Sequence, residues 1–358
     1  VQDRAQRDLP IAIIGAGFGG IGAAVRLLQA GYTNLQIFER ADEVGGVWRD
    51  NSYPGAACDV PSHLYSFSFA PNPDWSRSYS HQPEIWAYLR RVAAEFGVMP
   101  HVRFGTEVRA ARWDDAAARW RISTSRGDHS AAVLVVGSGG LSEPAVPALP
   151  GAAQFAGVSF HSARWDHSYD LARKRVAVIG TGASAIQFIP AIQPRVAQLS
   201  VFQRTPPWVL PRDERAFSLA ERRLMARFPL LRLLARGRIY LLRELLVAGF
   251  RNLRLMRVVQ RAAERYLAEA VPDPELRARL TPDYAVGCKR ILSSNDYYPA
   301  VQQPNVEIVT DPIAELRAHS IVTADGVERP IDAIIYGTGF QVTTQPIAER
   351  ITGRDGRT

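Results

Sequence analysis

The chain of 358 residues is 47% hydrophobic and 22% charged, which excludes disordered and fibrous classes and is typical of a globular protein. No uncharged apolar run is long enough to cross a bilayer, and the polar N-terminus gives no secretory signal. The two cysteines, Cys58 and Cys288, cannot form a disulfide framework or, alone, a tetrahedral metal site. We therefore expect no metal centre and a location in the reducing cytoplasm.

The net charge of +8 comes from one segment. Sixteen arginines and eight acidic residues lie between Arg212 and Arg279, and the rest of the chain is neutral. Because the surplus is not spread over the molecule, the charge gives no support for nucleic acid as a partner.

The first predicted elements form a strand, a turn, a helix and a strand. The apolar run Pro10–Gly15 leads into Gly15-Ala-Gly17-Phe-Gly-Gly20, a helix follows, and a second strand ends at Glu39. Glycines in such a turn let the backbone approach a pyrophosphate at the start of the helix. A carboxylate at Glu39 accepts hydrogen bonds from ribose hydroxyls, so this order favours a dinucleotide site over a simple loop.

The same order recurs in the middle of the chain. The run Arg175–Gly180 leads into Gly180-Thr181-Gly182-Ala183-Ser184-Ala185, and the next strand ends at Arg204 and Thr205. Arg204 follows Gly180 at the spacing that separates Glu39 from Gly15. A guanidinium there suits a 2′-phosphate, whereas a carboxylate would repel one. The first site should therefore hold FAD and the second NADPH, unless Arg204 is an ordinary surface arginine.

Two further strands, Val133–Gly137 and Asp332–Gly339, end in glycine, and leucines at helical spacing fill the basic segment. We expect an α/β protein with two Rossmann-like dinucleotide-binding domains. The FAD domain comprises residues 1–141 plus 333–358, and the NADPH domain comprises residues 142–332 with a helical insertion at 213–280. The insertion should pack on the second domain, with contact to a membrane surface or steering of an anionic cofactor as alternatives.

The segment between the two sites carries a family resemblance. Phe155-Ala-Gly157-Val-Ser-Phe-His161-Ser-Ala-Arg-Trp165-Asp166 resembles the fingerprint of type I Baeyer–Villiger monooxygenases, in the flavin-containing monooxygenase superfamily. His161 and Trp165 should pack and hydrogen-bond there rather than perform chemistry. Further resemblance lies in Gly45-Gly46-Val47-Trp48, in Tyr53-Pro54-Gly55 followed by Asp59, and in Lys289-Arg290. Members of that family continue past the end of this chain, which implies an FAD domain that is incomplete at its C-terminus.

The resemblance also implies an activity and a set of residues. The activity is insertion of one oxygen atom of O2 next to a ketone carbonyl through a C4a-peroxyflavin, with FAD and NADPH as cofactors. Arg290 corresponds to the active-site arginine, and Asp59 to the carboxylate that positions it. The flavin-site positions are Gly15, Gly17, Gly20, Glu39, Val47, Trp48, Asp59 and Tyr65. The NADPH-site positions are Gly180, Thr181, Gly182, Ala183, Ser184, Gln187, Arg204, Thr205, Lys289 and Arg290.

Two other functions remain open at this stage. The first is a nitrogen- or sulfur-oxygenating flavin monooxygenase, and a sulfide is also a possible substrate of the Baeyer–Villiger type. Trp165 and the pair of Asp59 and Arg290 argue against that first alternative. The second is an inactive nucleotide-binding fragment, whose signature would be poor solubility and no bound flavin.

Overall fold

The computed structural model describes residues 8–250, 253–343 and 345–358. Residues 1–7 of the predicted FAD domain, residues 251–252 of the predicted insertion and residue 344 lie outside the described part. None of the helices described combines the length and the apolar character needed to cross a membrane.

Strands and helices alternate along the chain. The strands are β1 (Ile11–Ile14), β2 (Leu35–Phe38), β3 (Val102–Arg103), β4 (Val108–Asp114), β5 (Arg119–Thr124), β6 (Gly127–Ala131), β7 (Val133–Val136), β8 (Val158–His161), β9 (Arg175–Ile179), β10 (Gln198–Phe202), β11 (Val209–Leu210), β12 (Leu292–Ser293), β13 (Val306–Val309), β14 (Ile313–Arg317), β15 (Ser320–Thr323), β16 (Glu328–Pro330), β17 (Ala333–Tyr336) and β18 (Ile351–Thr352). The helices are α1 (Phe18–Gln29), α2 (Val47–Asp50), α3 (Gln82–Glu95), α4 (Ala185–Ile192), α5 (Leu219–Arg227), α6 (Pro229–Phe250), α7 (Leu253–Ala270), α8 (Pro274–Leu280), α9 (Tyr297–Val301) and α10 (Pro346–Glu349).

Unit 1 comprises Val1–Asn51, Gln82–Ala145 and Phe340–Thr358. Its parallel sheet has the order β3-β2-β1-β7, with Ile13 paired to Ile37 on one side and to Val135 on the other. A second sheet, ordered β18-β4-β5-β6, is antiparallel from β4 to β6. β1 is buried throughout because α1 turns an apolar face towards the core. This is the Rossmann-like unit predicted around the first glycine turn.

Unit 2 comprises Ser52–His81 and Val146–Gly339. Its five-stranded sheet has the order β13-β10-β9-β17-β8, and every neighbouring pair is parallel. Helices α4 and α9 pack in the main core beside β9 and β10, where Phe188, Ile189 and Tyr297 are fully buried. A three-stranded antiparallel sheet, β14-β15-β16, completes the unit. The predicted α/β class and the second Rossmann-like unit are confirmed.

The helical insertion of unit 2 consists of α5 to α8 and confirms the helical segment predicted at 213–280. Leu267, Val271 and Leu280 of its C-terminal half join the main core. On α6, Arg236 is half-buried and donates to the carbonyls of His63, Leu64 and Ser66. The exposed positions of α6 include Leu230, Leu233, Leu234, Leu241, Leu242 and Leu245. The insertion therefore packs on its own unit as expected, and contact with a membrane surface stays a prediction.

The predicted boundary at residue 333 is wrong. β17 pairs with β9 and β8 in the sheet of unit 2, in the register Ile335 to Val178 and to Phe160. The return to unit 1 comes only at Phe340. β7 and β17 are both short apolar strands followed by Gly-x-Gly, but β7 is the edge strand beside β1, whereas β17 lies between β9 and β8.

The continuous FAD domain predicted for residues 1–141 is also wrong, because Ser52–His81 belongs to unit 2. Long-range hydrogen bonds hold this segment there. The side-chain amide of Gln187 bonds to Ala57, and the backbone N–H groups of Ser78 and Phe217 reach across to Arg215 and Ser76. Both Asp59 and Tyr65 therefore lie in unit 2.

Candidate cofactor and active site

The first glycine turn lies at the carboxyl end of β1, and its close contacts require glycine. Gly15 has φ of +91°, and a Cβ on Gly20 would lie 1.8 Å from the carbonyl oxygen of Gly15. A Cβ on Gly46, in the neighbouring loop, would lie 3.0 Å from the Cα of Gly17. Within the described part of the chain no side chain caps the N-terminus of α1, and a helix N-terminus of this kind favours an anion. The turn fits the pyrophosphate of a dinucleotide.

The carboxylate of Glu39 supports this turn directly. One oxygen accepts from the N–H of Ala16 at 2.8 Å, and the other accepts from Ala41 at 3.0 Å and pairs with Arg49 at 3.2 Å. Glu39 is buried, so these bonds compensate for the desolvation of its charge. Because a carboxylate offers about four acceptor positions, Glu39 can also accept a ribose hydroxyl.

Val47 and Trp48 begin the short helix α2 beside the first turn. The carbonyl of Trp48 accepts a hydrogen bond from the side-chain amide of Gln82, which fixes this loop to α3. Trp86 lies on the same helix, α3, and its indole N–H donates to the carbonyl of Val44 at 2.9 Å. Of the predicted flavin positions, the first six therefore share unit 1, whereas Asp59 and Tyr65 lie in unit 2.

The second glycine turn lies at the carboxyl end of β9. Gly180 has φ of +101°, and a Cβ there would lie 2.6 Å from the carbonyl oxygen of Gly337, just after β17. The buried hydroxyl of Thr181 donates to the carbonyl of Thr205 at 3.4 Å and so links the turn to the end of β10. Ser184 precedes α4 without capping it. This turn also fits a pyrophosphate, with Ala185 accommodated at the third motif position.

Arg204 is exposed beyond the end of β10, and within the described residues no carboxylate forms an ion pair with it. The ammonium of Lys289 lies 4.6 Å from the centroid of the Tyr284 ring. The hydroxyl of Tyr284 donates to the carbonyl of Pro206 at 3.1 Å, directly after Thr205. Tyr284 thus holds the lysine-bearing segment against the strand end that carries Arg204. Two unneutralised cations in this place fit a 2′-phosphate.

Asp59 and Arg290 form a direct hydrogen-bonded ion pair although they are distant in sequence. The arginine side chain is 60% exposed and that of Asp59 is 32% exposed, so the guanidinium keeps donors that can face a ligand. The preceding residue, Cys58, is buried, and burial raises the pKa of its thiol to about 12. Cys58 is consequently a packing residue rather than a thiolate nucleophile.

His161 and Trp165 have the packing role that the sequence predicted for them. The ring of Trp165 lies 5.1 Å from that of Phe160 and 5.4 Å from that of Phe188. The Nδ1 atom of His161 accepts from the N–H of Ala163 at 3.1 Å, and burial lowers the pKa of the imidazole. Both side chains therefore stabilise the segment at the end of β8 within unit 2.

Gln187 has a structural task that the sequence did not reveal. Its amide oxygen accepts from the hydroxyl of Tyr53 at 3.0 Å and from the N–H of Ala57 at 3.3 Å, and its nitrogen donates to the carbonyl of Ala57 at 3.0 Å. Tyr53 was not among the predicted site residues, although it opens the Tyr-Pro-Gly sequence that precedes Asp59.

Comparisons with known proteins agree with this arrangement. A model of the flavin-binding monooxygenase-like family matches residues 8–353. A Baeyer–Villiger monooxygenase of Streptomyces coelicolor is 55% identical over 357 residues, which cover 99% of this chain and 69% of the relative. A steroid monooxygenase structure with bound NADP has a TM-score of 0.86 at 35% identity, covering 98% of this chain and 75% of that one. A closed cyclohexanone monooxygenase structure has a TM-score of 0.84 at 33% identity, covering 98% and 74%.

Proposed function

The chain belongs to the flavin-binding monooxygenase-like family, and on that premise we propose that it is an FAD- and NADPH-dependent Baeyer–Villiger monooxygenase. Its substrates would be a small-molecule ketone and O2, and its product an ester or lactone. The observation that carries the proposal is the pair of Asp59 and Arg290, which keeps a permanent cation partly exposed. When bound, NADPH supplies a hydride and FAD transfers the electrons to O2.

The binding roles follow from the chemistry of the two turns. The turn Gly15–Gly20 and the carboxylate of Glu39 would hold the pyrophosphate and ribose of FAD in unit 1, with Val47 and Trp48 beside them. The turn Gly180–Ala185 would hold the pyrophosphate of NADPH in unit 2. Arg204, Thr205 and Lys289 would bind its 2′-phosphate, because phosphate oxygens accept charge-assisted hydrogen bonds from guanidinium and ammonium groups. Gln187 lies on the first turn of α4, which follows this glycine turn, and Tyr65 remains a predicted flavin contact.

The catalytic work assigned to this chain's own residues is electrostatic. A guanidinium does not lose its proton near neutral pH, so Arg290 keeps its charge while negative charge develops on the carbonyl oxygen of the reacting ketone. A fixed cation at such a place stabilises the oxyanion without reorganising during the reaction. Asp59 positions Arg290 through their ion pair and limits its rotamers.

The test separates flavin reduction from ketone oxygenation. In Arg290→Ala, NADPH should still reduce the flavin within a few-fold of the normal rate, whereas ester formation should fall by about 100- to 1,000-fold. Stopped-flow absorbance measures the first step, and gas chromatography of products measures the second. Arg195→Ala is the matched control, because it breaks another exposed arginine–aspartate pair of unit 2, with Asp170 at 3.1 Å.

Two outcomes would contradict the proposal. Ester formation at the normal rate by Arg290→Ala would remove the arginine from the reaction. Oxidation of sulfides or amines by the unaltered protein, with no ester from any of a panel of cyclic and linear ketones, would favour a sulfur- or nitrogen-oxygenating enzyme instead.

A further inference from the structure

Three hydrogen bonds from one side chain connect α4 to the segment that carries Asp59. The amide of Gln187 is bidentate to Ala57, with its oxygen 3.3 Å from the N–H and its nitrogen 3.0 Å from the carbonyl. Its oxygen also accepts from the Tyr53 hydroxyl at 3.0 Å. Gln187 lies on the first turn of α4, directly after the second glycine turn, and Ala57 lies two residues before Asp59.

Tyr53 reinforces this connection from the other end of the segment. It is buried, and its ring packs at 6.0 Å from that of Phe188 on α4. Gly55 lies between Tyr53 and Ala57 with φ of +81°, and a Cβ there would lie 2.6 Å from the carbonyl oxygen of Gln187. The backbone of the segment at Gly55 therefore lies in close contact with the backbone of α4 at Gln187.

We propose that Gln187 is a positioning residue that couples occupancy of the second glycine turn by NADP(H) to the placement of Asp59 and, through it, of Arg290. This inference rests on the proposed function, since it takes NADP(H) as the ligand of that turn. The path is short: Gln187, on the first turn of the helix that follows the glycine turn, bonds to Tyr53 and Ala57, and Asp59 follows in the same segment. A ligand that orders the turn therefore orders the carboxylate that holds the catalytic arginine.

Two roles are conceivable for Gln187, one purely structural and one that couples the segment to the ligand, and they lead to different hydrogen exchange of residues 53–60. If Gln187 only fastens the segment, losing its bonds loosens residues 53–60 equally with and without the ligand. If Gln187 couples the two, the unaltered protein protects residues 53–60 when NADP+ binds, and that protection depends on Gln187. Hydrogen exchange of the backbone amides distinguishes the two cases without any turnover.

The experiment measures hydrogen exchange by mass spectrometry on the FAD-loaded chain, with and without saturating NADP+. In the unaltered protein NADP+ should slow exchange in residues 53–60 by about tenfold. In Gln187→Met, which keeps the side-chain length and removes the hydrogen bonds, the NADP+ effect should fall to within about twofold. The Kd for NADP+ should change less than about threefold, while kcat for ester formation falls by about tenfold.

The matched control is Gln193→Met at the end of the same helix. Its amide donates to the side-chain oxygen of Asn305 at 2.6 Å and has no bond to residues 53–60. The control should keep the full NADP+ effect. Tyr53→Phe removes only one hydroxyl and leaves the ring, so it should lose part of the effect even if Gln187→Met folds poorly.

Three results would overturn the proposal. The first is no NADP+-dependent protection of residues 53–60 in the unaltered protein. The second is undiminished protection in both Gln187→Met and Tyr53→Phe. The third is a large rise in the Kd for NADP+ with intact protection, which would make Gln187 a cofactor ligand. Failure of the proposed function is a separate result, since it would appear as a lack of ester product in the unaltered protein.

Discussion

The two glycine turns of this chain have similar backbones, but opposite charges lie at the end of the following strand. In unit 1 that residue is Glu39, which is buried, bonded to its own turn and paired with Arg49. In unit 2 it is Arg204, which is exposed and without an ion-pair partner among the described residues. On the proposed function, the turn binds the pyrophosphate that the two dinucleotides share, and the residue at the strand end would distinguish their riboses.

Substitution of Gly20, at the third motif position of the first glycine turn, should have the largest effect on stability. In Gly20→Ala the new Cβ would lie 1.8 Å from the carbonyl oxygen of Gly15, so the turn must move, at a cost of about 3 kcal/mol or more. Unit 1 should lose FAD during purification and unfold at lower urea concentration. In the comparison variant Gly182→Ala, at the second position of the other turn, the nearest backbone atom would lie 3.8 Å from the new Cβ, so the fold of unit 2 should be retained. Equal loss of stability in both variants would contradict the steric explanation.

The carboxylate of Glu39 gives a smaller effect. In Glu39→Gln the amide nitrogen would face one of the backbone N–H groups of Ala16 and Ala41, leaving a buried donor without an acceptor. Such a loss costs about 1–3 kcal/mol, so FAD affinity should fall about tenfold or more. NADP+ affinity should not change. Fluorescence of released FAD and calorimetry with NADP+ measure the two affinities, and a matching loss of NADP+ affinity would argue against independent sites.

The smallest expected effect is a loss of stability of unit 2 at acidic pH. Hydrogen bonding to His81, together with the charge of Arg212, lowers the pKa of Glu214 from 4.5 to about 2. A depressed carboxylate pKa gives stability that is full above about pH 4.5 and is lost as the pH falls towards 2. Because Glu214 is only partly buried, this stability is about 1 kcal/mol. Urea unfolding of unit 2 should therefore depend less on pH between 5 and 3 in Glu214→Gln, and an unchanged slope would contradict the assignment.

The sequence predicted what local patterns can encode. Both turns, the two strand ends and the helical insertion lie where glycine spacing and apolar periodicity placed them. The domain boundaries were wrong because β7 and β17 have the same local character, an apolar strand followed by Gly-x-Gly. Only the pairing of Ile335 with Val178 decides which sheet the second one joins.

The contacts of the site also divide into those that could be predicted from the sequence and those that could not. The ion pair of Asp59 and Arg290 was expected from the resemblance, and the structure brings the two together. The bonds of Gln187 to Tyr53 and Ala57 could not be predicted, since they join residues about 130 positions apart and have no periodic or compositional signal. For the same reason, the membership of Ser52–His81 in unit 2 could not be predicted.

The central claim is that Arg204 makes the second turn specific for a 2′-phosphate, and the most direct test is the ratio of kcat/KM for NADPH to that for NADH. The unaltered protein should prefer NADPH, and Arg204→Ala should lower the ratio by about 10- to 100-fold, the worth of a hydrogen bond between charged groups. FAD content and the ratio in Arg195→Ala should stay the same. An unaltered protein without preference for NADPH, or an Arg204→Ala variant that keeps the preference, would contradict the account.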